Sequence, residues 1–294
     1  MYSKTLLVSG LGGIVFACAL PTPAWALDGN GNGNGNGKDE TTVVCGQVIT
    51  RSIKLANDLH NCRSHGLEVG ASRITIDLNG HTIDGPGGAF PFDGINNDAG
   101  GSSPTGHSRV TIKNGTVTDF DDGVDLGNGA DLNFVQHILA THNTEGIEAL
   151  NVDRPYISDS AFTDNSVGIG LGSVTNGRVE RSTALDNTLD GIDLDGTSTG
   201  TVLYRNSVVD NNVDGIDVAA SVTATRIDNN DANGNGENGI AVFATDAATV
   251  IRGNRARDNG DFGIRAEPGV TDGGGNRASG NGNPAQCLNI SCTP

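Results

Sequence analysis

The sequence predicts an all-β fold in which short parallel strands wind into a solenoid. Three observations predict it. A Gly-Ile or Gly-Val pair returns every 22 to 24 residues, an asparagine precedes most of these pairs by three or four residues, and strand-forming runs are only three to five residues long. A return at this interval is typical of repeat proteins. The glycines of the pairs are Gly123, Gly146, Gly168, Gly191, Gly215, Gly239 and Gly263.

The asparagines form a column, meaning a set of equivalent positions in successive repeats. Its members are Asn143, Asn165, Asn187, Asn211, Asn235, Asn259 and Asn281. A polar column in the same register contains Ser160, Ser182, Asn206, Asn230, Asn254 and Asn276. Because asparagine tolerates the left-handed turn conformation and stacked amides form hydrogen bonds, we expect the first column to be a structural ladder between repeats.

Each repeat contains two or three runs with alternating apolar and polar residues, such as residues 192–194, 202–204 and 207–209. Alternation between turn residues favours strands, and no stretch has helical spacing long enough to compete. A propeller blade needs about 40 residues, and the leucine-rich pattern is missing. One coil of a parallel β-helix takes about this many residues, so the sequence predicts a parallel β-helix of about nine coils, each of 22–24 residues.

Upstream of the regular repeats the pattern continues with interruptions. Three runs there have strand composition, at residues 67–69, 74–78 and 110–112. We expect Asp84 and Asp119 to take the place of the column asparagine. The interval between Asp84 and Asp119 is longer than one repeat. The additional residues are 85–88 and 97–107, which are rich in proline, glycine and serine and should protrude as loops. Long loops on a regular scaffold often carry function.

The first 26 residues have the features of an export signal. A basic residue and an apolar run precede Ala24-Trp25-Ala26, a small-x-small cleavage site. We therefore expect the protein to be secreted, periplasmic or on the cell surface. A lipoprotein anchored at Cys18 is the alternative, and the bulky Phe16 disfavours it.

The rest of the chain divides into a leader and one domain. Residues 27–42 are rich in glycine and asparagine, which alternate up to Gly37 with nothing to bury, and this predicts a flexible leader. Residues 43–292 form the predicted β-helix domain, with an N-terminal cap at residues 43–66 and a C-terminal cap at residues 283–294.

Four cysteines follow the signal: Cys45, Cys62, Cys287 and Cys292. An even number in an exported chain argues for disulfides. About nine coils at a strand spacing of ~4.8 Å place the two ends ~40 Å apart, whereas the Cα atoms of a disulfide lie within ~7 Å of each other. The pairs Cys45–Cys62 and Cys287–Cys292 therefore follow, and each closes one end of the solenoid.

The charge of the chain excludes one class of partner. The formal net charge is -17, from 18 basic and 35 acidic residues. Loss of residues 1–26 removes Lys4 and no acid, which gives -17 - 1 = -18. Because nucleic-acid binding needs a basic face, nucleic acid is not an expected partner. Beyond the signal no apolar run approaches the ~20 residues of a membrane span.

Three segments in order carry a family resemblance: Cys45-Gly46, the run ITIDLNGHTI at residues 74–83 before the Asn-x-x-x-Gly-Ile coils, and NPAQCL at residues 283–288. The chain resembles exported bacterial right-handed parallel β-helix proteins of the pectin lyase-like superfamily over about residues 43–292. That resemblance implies a right-handed coil. It also implies a polysaccharide lyase, a polygalacturonase-type hydrolase, an alginate epimerase or a member without known catalysis.

The motifs of these enzymes are present only in fragments. Asp121-Asp122 matches the Asp-Asp element of the polygalacturonase type, but its Gly-His-Gly element is absent. The Asp-Pro-His-Asp element of alginate epimerases is absent too. No basic strip matches the catalytic arginine of a pectate lyase, although Arg178, Arg181 and Arg205 lie on successive coils. The resemblance therefore assigns no catalytic set.

Acidic residues recur at two positions of the repeat, one directly after the Gly-Ile or Gly-Val pair and one directly before it. If the isoleucine of each pair points inward, the next residue points outward. That column reads Asn96, Asp125, Glu148, Gly170, Asp193, Asp217, Ala241 and Arg265. The residues before each glycine add Asp93, Asp122, Glu145, Asp190 and Asp214. A strip of acids should therefore run along one side, with a gap at residues 167–170.

The candidate catalytic residues are Asp122, Asp125, His142, Glu145 and Glu148. Carboxylates on adjacent coils would stand ~5 Å apart, where repulsion raises a pKa or recruits a cation. A retaining glycosidase uses carboxyl groups ~5 Å apart and an inverting one ~6.5–9.5 Å. His142, with acidic neighbours, is the candidate base. The structural alternative is that each aspartate only stabilises a turn.

A second acidic group, Asp190, Asp193, Asp214 and Asp217, is the candidate metal site. Carboxylate oxygens suit Ca²⁺, the one cofactor that the residues suggest. The sequence thus predicts an exported polysaccharide-binding β-helix protein, with lyase, glycoside hydrolase and epimerase as the candidate activities. The alternative is a non-catalytic surface or adhesion module with an acidic, Ca²⁺-binding face.

Overall fold

The computed structural model describes residues 40–88, 91–98 and 105–294, and these contain only strands and turns. The predicted signal, Cys18 and most of the predicted leader lie outside the described residues, as do residues 99–104 of the predicted 97–107 loop. No helix long and apolar enough to cross a membrane is present in the described ranges. The strands form a parallel β-solenoid of about ten turns.

One side of the solenoid is a sheet of eleven parallel strands, which we call the lateral sheet. Its strands are Gln47–Ile49, Leu67–Val69, Ile95–Asn96, Asp122–Leu126, Glu145–Leu150, Val167–Gly172, Ile192–Asp195, Ile216–Val218, Ile240–Val242, Ile264–Ala266 and Cys287–Leu288. The stack is slightly longer than the nine expected coils because both predicted caps contribute strands to it.

The other nineteen strands form one sheet that bends around a corner and makes two further faces. The second face contains Glu40–Thr41, Ile53–Leu55, Thr75–Asp77, Tyr156–Ser158, Arg178–Glu180, Val202–Tyr204, Arg226–Asp228, Val250–Arg252 and Thr271–Gly274. The third face contains Thr82–Asp84, Ala161–Thr163, Thr183–Leu185, Ser207–Val209, Asp231–Asn233, Arg255–Arg257, Asn276–Ser279 and Cys292–Thr293. Thr111–Thr118 and Phe134–Thr141 run through the corner and belong to both faces.

The Gly-Ile pair has a separate packing reason for each residue. The isoleucines stack in register, as Ile169 pairs with Ile192 and Ile192 with Ile216, and all are fully buried. A Cβ on Gly168 would lie 2.5 Å from the carbonyl oxygen of Gly191 and 2.9 Å from Nδ2 of Asn187. Neighbouring coils approach so closely here that only glycine fits, which explains why the pair returns in each coil.

The predicted asparagine ladder is present and buried. Asn165 donates from its backbone N–H and from Nδ2 to Oδ1 of Asn187, at 3.0 and 3.3 Å, and Nδ2 also donates to the carbonyl of Ala140. The same bonds recur down the column until Asn281, which donates to Oε1 of Gln286. Gln286 therefore ends the ladder by offering the acceptor that the next asparagine would have supplied.

The conformational reason given for the asparagines was wrong. The residue before each asparagine, not the asparagine itself, adopts the left-handed conformation, as at Asp164 with φ 57° and Asp210 with φ 53°. The expected substitutes upstream shift accordingly. Asp119 has φ 64° and is such a turn residue, whereas Phe120 occupies the ladder position and donates its N–H to Oδ1 of Asn143. Asp84 ends a strand and pairs with Thr118.

Both predicted disulfides are confirmed. Cys45 and Cys62 are bonded with their Cα atoms 5.4 Å apart, and Cys287 and Cys292 with theirs 6.2 Å apart. Each bond lies at one end of the solenoid, so neither crosses the stack of coils.

Candidate functional site

The outward positions of the lateral sheet carry the acidic strip. Backbone pairing aligns Asn96 with Asp125, Asp125 with Glu148, and Glu148 with Gly170. Further along, Gly170 pairs with Asp193 and Asp193 with Asp217. The predicted column is therefore confirmed as a row of neighbours. Asp122 pairs with Glu145 in the parallel row three residues earlier.

Four of these acids form what we call the carboxylate cluster: Asp122, Asp125, Glu145 and Glu148. They come from the two neighbouring strands Asp122–Leu126 and Glu145–Leu150. One carboxyl oxygen each of Asp122, Asp125 and Glu148 lies within 4.8 Å of the others. Each acid lies beside an acid of the other strand, Asp122 beside Glu145 and Asp125 beside Glu148.

Burial and mutual repulsion raise the pKa values of the cluster. The pKa of Asp122 rises to about 9 and that of Asp125 to about 8, first through loss of hydration and then through the charge of Asp93. The pKa of Glu145 rises to about 7, by burial and then by the charge of Glu148, and the pKa of Glu148 rises mainly through burial. The cluster therefore holds protons near neutral pH.

The gap at residues 167–170 is filled by a neighbouring side chain. A Cβ on Gly170 would overlap Oε2 of Glu145, so the glycine leaves the space in which that carboxylate lies. Oε2 of Glu145 is buried without a hydrogen-bond partner. The absence of a side chain at Gly170 thus orients Glu145 along the sheet toward the next coil.

His142 is not assembled with the carboxylates. It occupies the left-handed turn position before Asn143, with φ 58°, and its Nδ1 lies 3.1 Å from Oγ1 of Thr141. The side chain is exposed, and within the described part of the chain no ion pair joins it to an acid. Its equivalents in other coils are aspartates and glycines, so the turn explains the position. A role for His142 as a base remains a prediction that this geometry does not support.

A histidine that sequence reasoning missed does contact the acidic strip. Nδ1 of His65 lies 3.2 Å from Oδ2 of Asp93, and hydrogen bonding to this carboxylate raises the pKa of His65. Asn96 donates from Nδ2 to the same oxygen of Asp93 at 2.7 Å. His65 precedes Gly66 just as Asp93 precedes Gly94, so extending the column by one coil would have found it.

The second acidic group is arranged differently from the first. Oδ1 of Asp190 accepts the backbone N–H of Asp214, and Oδ1 of Asp214 accepts the N–H and Nδ2 of Asn238. These two carboxylates therefore join coils. Asp193 and Asp217 are paired neighbours, with pKa values raised to about 6 and about 7, mainly by burial. Among the described residues, the trio close enough to share a metal ion is Asp122, Asp125 and Glu148, not this group.

The three arginines on successive coils, Arg178, Arg181 and Arg205, are held by other groups of the protein. Arg178 and Arg181 both pair with Glu180, and Arg181 also binds Asp159, with Nε 2.8 Å from Oδ1. Arg178 and Arg205 lie over the ring of Tyr204 at 5.3 and 4.9 Å from its centroid. This network belongs to the bent sheet and supplies no charge to the lateral sheet.

Solved structures with similar folds include several larger β-helix proteins. The Dettilon tailspike protein matches with a TM-score of 0.65 and 15% identity, over 84% of this chain and 60% of the tailspike chain. The periplasmic alginate epimerase AlgG matches with a TM-score of 0.54 and 14% identity, over 83% of this chain and 66% of AlgG. The A-module of the Azotobacter vinelandii mannuronan C-5 epimerase AlgE6 matches with a TM-score of 0.50 and 15% identity, over 85% of this chain and 71% of the AlgE6 chain.

These likenesses show a shared fold, and the chain spans about 60% of the tailspike's length. No curated protein sequence matches the chain significantly. The family model described as "Right handed beta helix region" matches residues 102–256, more than half of the 294 residues. The matched region includes the carboxylate cluster and the repeats that define the ladders. The chain therefore belongs to the right-handed β-helix family.

Proposed function

We propose that the protein binds a polysaccharide along the lateral sheet and cleaves it by glycoside hydrolysis at the carboxylate cluster. One observation carries the proposal. Asp122, Asp125 and Glu148 bring carboxyl oxygens within 4.8 Å of one another, in a setting that raises their pKa values unequally. A retaining glycosidase needs two carboxyl groups ~5 Å apart, one protonated and one ionised.

The roles follow from the burial of the groups, which raises the pKa of each. Asp122, with a pKa of about 9, keeps its proton near neutral pH and is the proposed acid that protonates the leaving oxygen. Glu148, on the adjacent strand, is less buried than Asp125, its neighbour in the sheet, and is the proposed nucleophile. Asp125, three residues after Asp122 on its strand, has a pKa raised to about 8 by burial and by neighbouring acids, so it also holds its proton near neutral pH.

The charge of the lateral sheet favours a neutral polymer over a polyuronate. Every charged residue that the cluster's pKa values respond to is an acid, including Asp93, Asp98 and Asp195. An anionic sugar chain would be repelled by this surface unless cations intervened. A lyase or an epimerase acting on uronates is therefore less well supported here than a hydrolase, although AlgG, a structural neighbour, is named for alginate.

A second candidate function rests on the same trio. Three carboxylates within 4.8 Å and the unpartnered Oε2 of Glu145 are oxygen ligands of the kind that Ca²⁺ takes. A bound cation would offset the repulsion without any catalysis. The protein would then be a non-catalytic surface module whose polysaccharide binding depends on Ca²⁺.

The disulfides bear on location. Such bonds persist in oxidising compartments, and two of them close this solenoid. This supports a periplasmic, secreted or cell-surface site of action. Export through residues 1–26, removal of that segment and the flexible leader at residues 27–42 are part of the proposal.

The decisive experiment compares two variants on a panel of polymers. Purified protein is incubated with neutral and uronic polysaccharides, with Ca²⁺ or with a chelator, and new reducing ends are counted. Glu148→Gln removes the proposed nucleophile. Asp164→Asn is the matched control, because Asp164 is an exposed turn residue with φ 57°, a conformation that asparagine tolerates.

Turnover of a neutral polymer that is lost in Glu148→Gln and kept in Asp164→Asn supports hydrolysis. Retention of the anomeric configuration, followed by proton NMR, supports the assignment of a retaining pair. Absence of turnover on every polymer, together with binding that the chelator abolishes, contradicts hydrolysis and supports the Ca²⁺-dependent module.

A further inference from the structure

A group of arginines lies at the C-terminal end of the bent sheet, away from the lateral sheet. Arg252, Arg255, Arg257 and Arg277 are all exposed. Arg255 and Arg277 are paired neighbours on adjacent strands of the third face. Unlike Arg226, which binds Asp228, and Arg265, which binds Glu267, none of the four forms an ion pair within the described chain. In a protein with a net charge of -17, unpaired cations gathered at one place need an explanation.

Beside these arginines the corner of the bent sheet forms a groove. Earlier coils place long side chains at the left-handed corner position, as at Arg181 and Arg205, and later coils place Gly253 and Gly275 there. A Cβ on Gly275 would meet no atom closer than 3.7 Å, so the space above it is open. The resulting groove is lined by Asn229, Asn254, Arg255 and Arg277 together with the two glycines, and we call it the arginine groove.

The groove combines cations with hydrogen-bond acceptors. Strands of one sheet lie ~4.8 Å apart, so Arg255 and Arg277 present their guanidinium groups side by side. Each guanidinium can bind a carboxylate or a sulfate through two parallel hydrogen bonds. Asp231 lies next to Arg255 in the ladder, and Asn229 lies at the rim, so acceptors for hydroxyl groups are within the same groove.

The acids near the groove leave its arginines free. Asp272 is occupied by the backbone N–H groups of Gly274 and Ser291 and by Nδ2 of Asn276. Asp231 is exposed and makes no ion pair with Arg255, its ladder neighbour. The lining of the groove thus contains two arginines without ion pairs, Arg255 and Arg277, and one carboxylate, Asp231, which gives it a net charge of 2 − 1 = +1, opposite in sign to that of the whole chain.

We infer that the arginine groove binds an anionic polysaccharide through carboxylate or sulfate groups on its sugars. Arg255 and Arg277 hold the acid group, Arg252 and Arg257 add charge from the two flanking strand ends, and Asn229 and Asp231 accept hydrogen bonds from sugar hydroxyls. A nucleic acid fits poorly because Asp231 and the acidic surface beyond the groove repel a continuous phosphate backbone. This site is separate from the carboxylate cluster and does not depend on its chemistry.

Affinity electrophoresis in native gels tests the inference. The gels contain polygalacturonate, dextran sulfate or uncharged dextran, and retardation gives a dissociation constant for each. The wild-type protein should be retarded by at least one anionic polymer and not by dextran, and added salt should weaken the retardation because the contacts are ionic. Retardation by polygalacturonate alone assigns a carboxylate ligand, and retardation by dextran sulfate alone assigns a sulfate ligand.

Two double variants with the same change in charge give the test its control. Arg255→Gln/Arg277→Gln should weaken binding at least about tenfold, since it removes two charged forks. Arg51→Gln/Arg63→Gln alters two exposed arginines without ion pairs near the N-terminal end and should leave binding within about twofold. If the first pair does not fold, as judged by circular dichroism, Arg277→Gln alone takes its place.

Two results overturn the inference. One is an unretarded wild-type protein in both anionic gels. The other is an equal loss of binding in the two double variants, because net charge alone would then explain retardation. Turnover of a neutral polymer at the carboxylate cluster is measured separately, so failure of the groove and failure of the proposed hydrolysis are distinguishable.

Discussion

Asp122 lies half-buried between carboxylates of its own strand and of the next one. Loss of hydration is the largest cause of its raised pKa, followed by the charges of Asp93, Glu145 and Glu148. Either protons or a cation must offset this repulsion. The same residues that make a glycosidase pair would therefore also make a cation site, and pH separates the two states.

Asp122→Asn should make stability less dependent on pH. The pKa of Asp122 is about 9 in the folded protein and 3.8 for an ordinary aspartate, so the unfolded chain binds fewer protons between these values. Stability is therefore lost as pH rises through that window. The melting temperature of the wild type should fall between about pH 5 and about pH 9, and Asp122→Asn, with a chelator present, should melt ~3 °C or more above it at the upper end. An unchanged slope in Asp122→Asn, matching that of Asp164→Asn, would contradict the assigned shift.

Gly170→Ala should disturb the cluster through Glu145. The new methyl group would overlap Oε2 of Glu145 and force this carboxylate toward its neighbours. If the protein hydrolyses a polymer, kcat should fall by about tenfold or more, because displaced groups lose productive geometry. A double-mutant cycle with Glu145→Gln checks the route, since the two changes should be far from additive. Fully additive losses would show that Gly170 acts through some other contact.

At the scale of elements, the solenoid is joined from coil to coil by side chains as well as by strands. Each column asparagine satisfies two donors of the coil before it and uses its own amide on the coil after it, as Asn211 does between Asn187 and Asn235. The serine and asparagine column repeats this at a second corner, where Asn206 bonds Asn230. Buried amides therefore fix the register of successive coils.

Asn211→Ala should destabilise the protein by ~2–4 kcal/mol. It leaves the buried N–H of Asn187 without an acceptor and removes one of the two acceptors of its Nδ2, which keeps only the carbonyl of Phe162, and each lost buried bond costs ~1–3 kcal/mol. Asn212→Ala is the matched control, because Asn212 is the next residue and its side chain is exposed. Urea unfolding followed by circular dichroism gives the free energy of unfolding of both. Similar values for the two variants would mean that the ladder bonds contribute little.

Sequence periodicity was sufficient to predict these elements, because the physical constraint repeats. Gly168 and its equivalents face the same close backbone contact in each coil, and Asn165 and its equivalents make the same bonds. Positions that occur once were harder. His142 was selected for its chemistry, but it occupies a left-handed turn position. The contact of His65 with Asp93 was missed because the coil of His65 has a Gly-Leu pair in place of Gly-Ile. The arginine groove is formed by residues of different columns that meet at a corner of the coil. A search along one column does not bring these residues together.

Across the whole molecule, the acidic group and the arginine group lie on different faces of the solenoid. The lateral sheet gathers acids that have lost part of their hydration, and the C-terminal corner gathers arginines without partners. Because a solenoid makes contacts only between neighbouring coils, the two surfaces lie on different faces and share no residues.

The ends of the solenoid should open before its middle, and the two disulfides should limit this unequally. Terminal coils have one neighbour instead of two, so their stability depends on the closing bonds. Cys45–Cys62 spans 17 residues and Cys287–Cys292 only 5, and the entropy removed from the unfolded chain grows with the logarithm of loop length. Replacing the first pair by serines should therefore cost ~1 kcal/mol more than replacing the second.

Amide hydrogen exchange locates the effect of each replacement. In Cys287→Ser/Cys292→Ser, protection should fall around Gln286 and the last strands while the coil at Asn187 keeps its protection, since local opening does not require global unfolding. Cys45→Ser/Cys62→Ser should show the mirror result at the first coils. A uniform loss of protection along the chain in either variant would instead show that the coils unfold as a single unit. The solenoid would then transmit a change at one end to the carboxylate cluster several coils away.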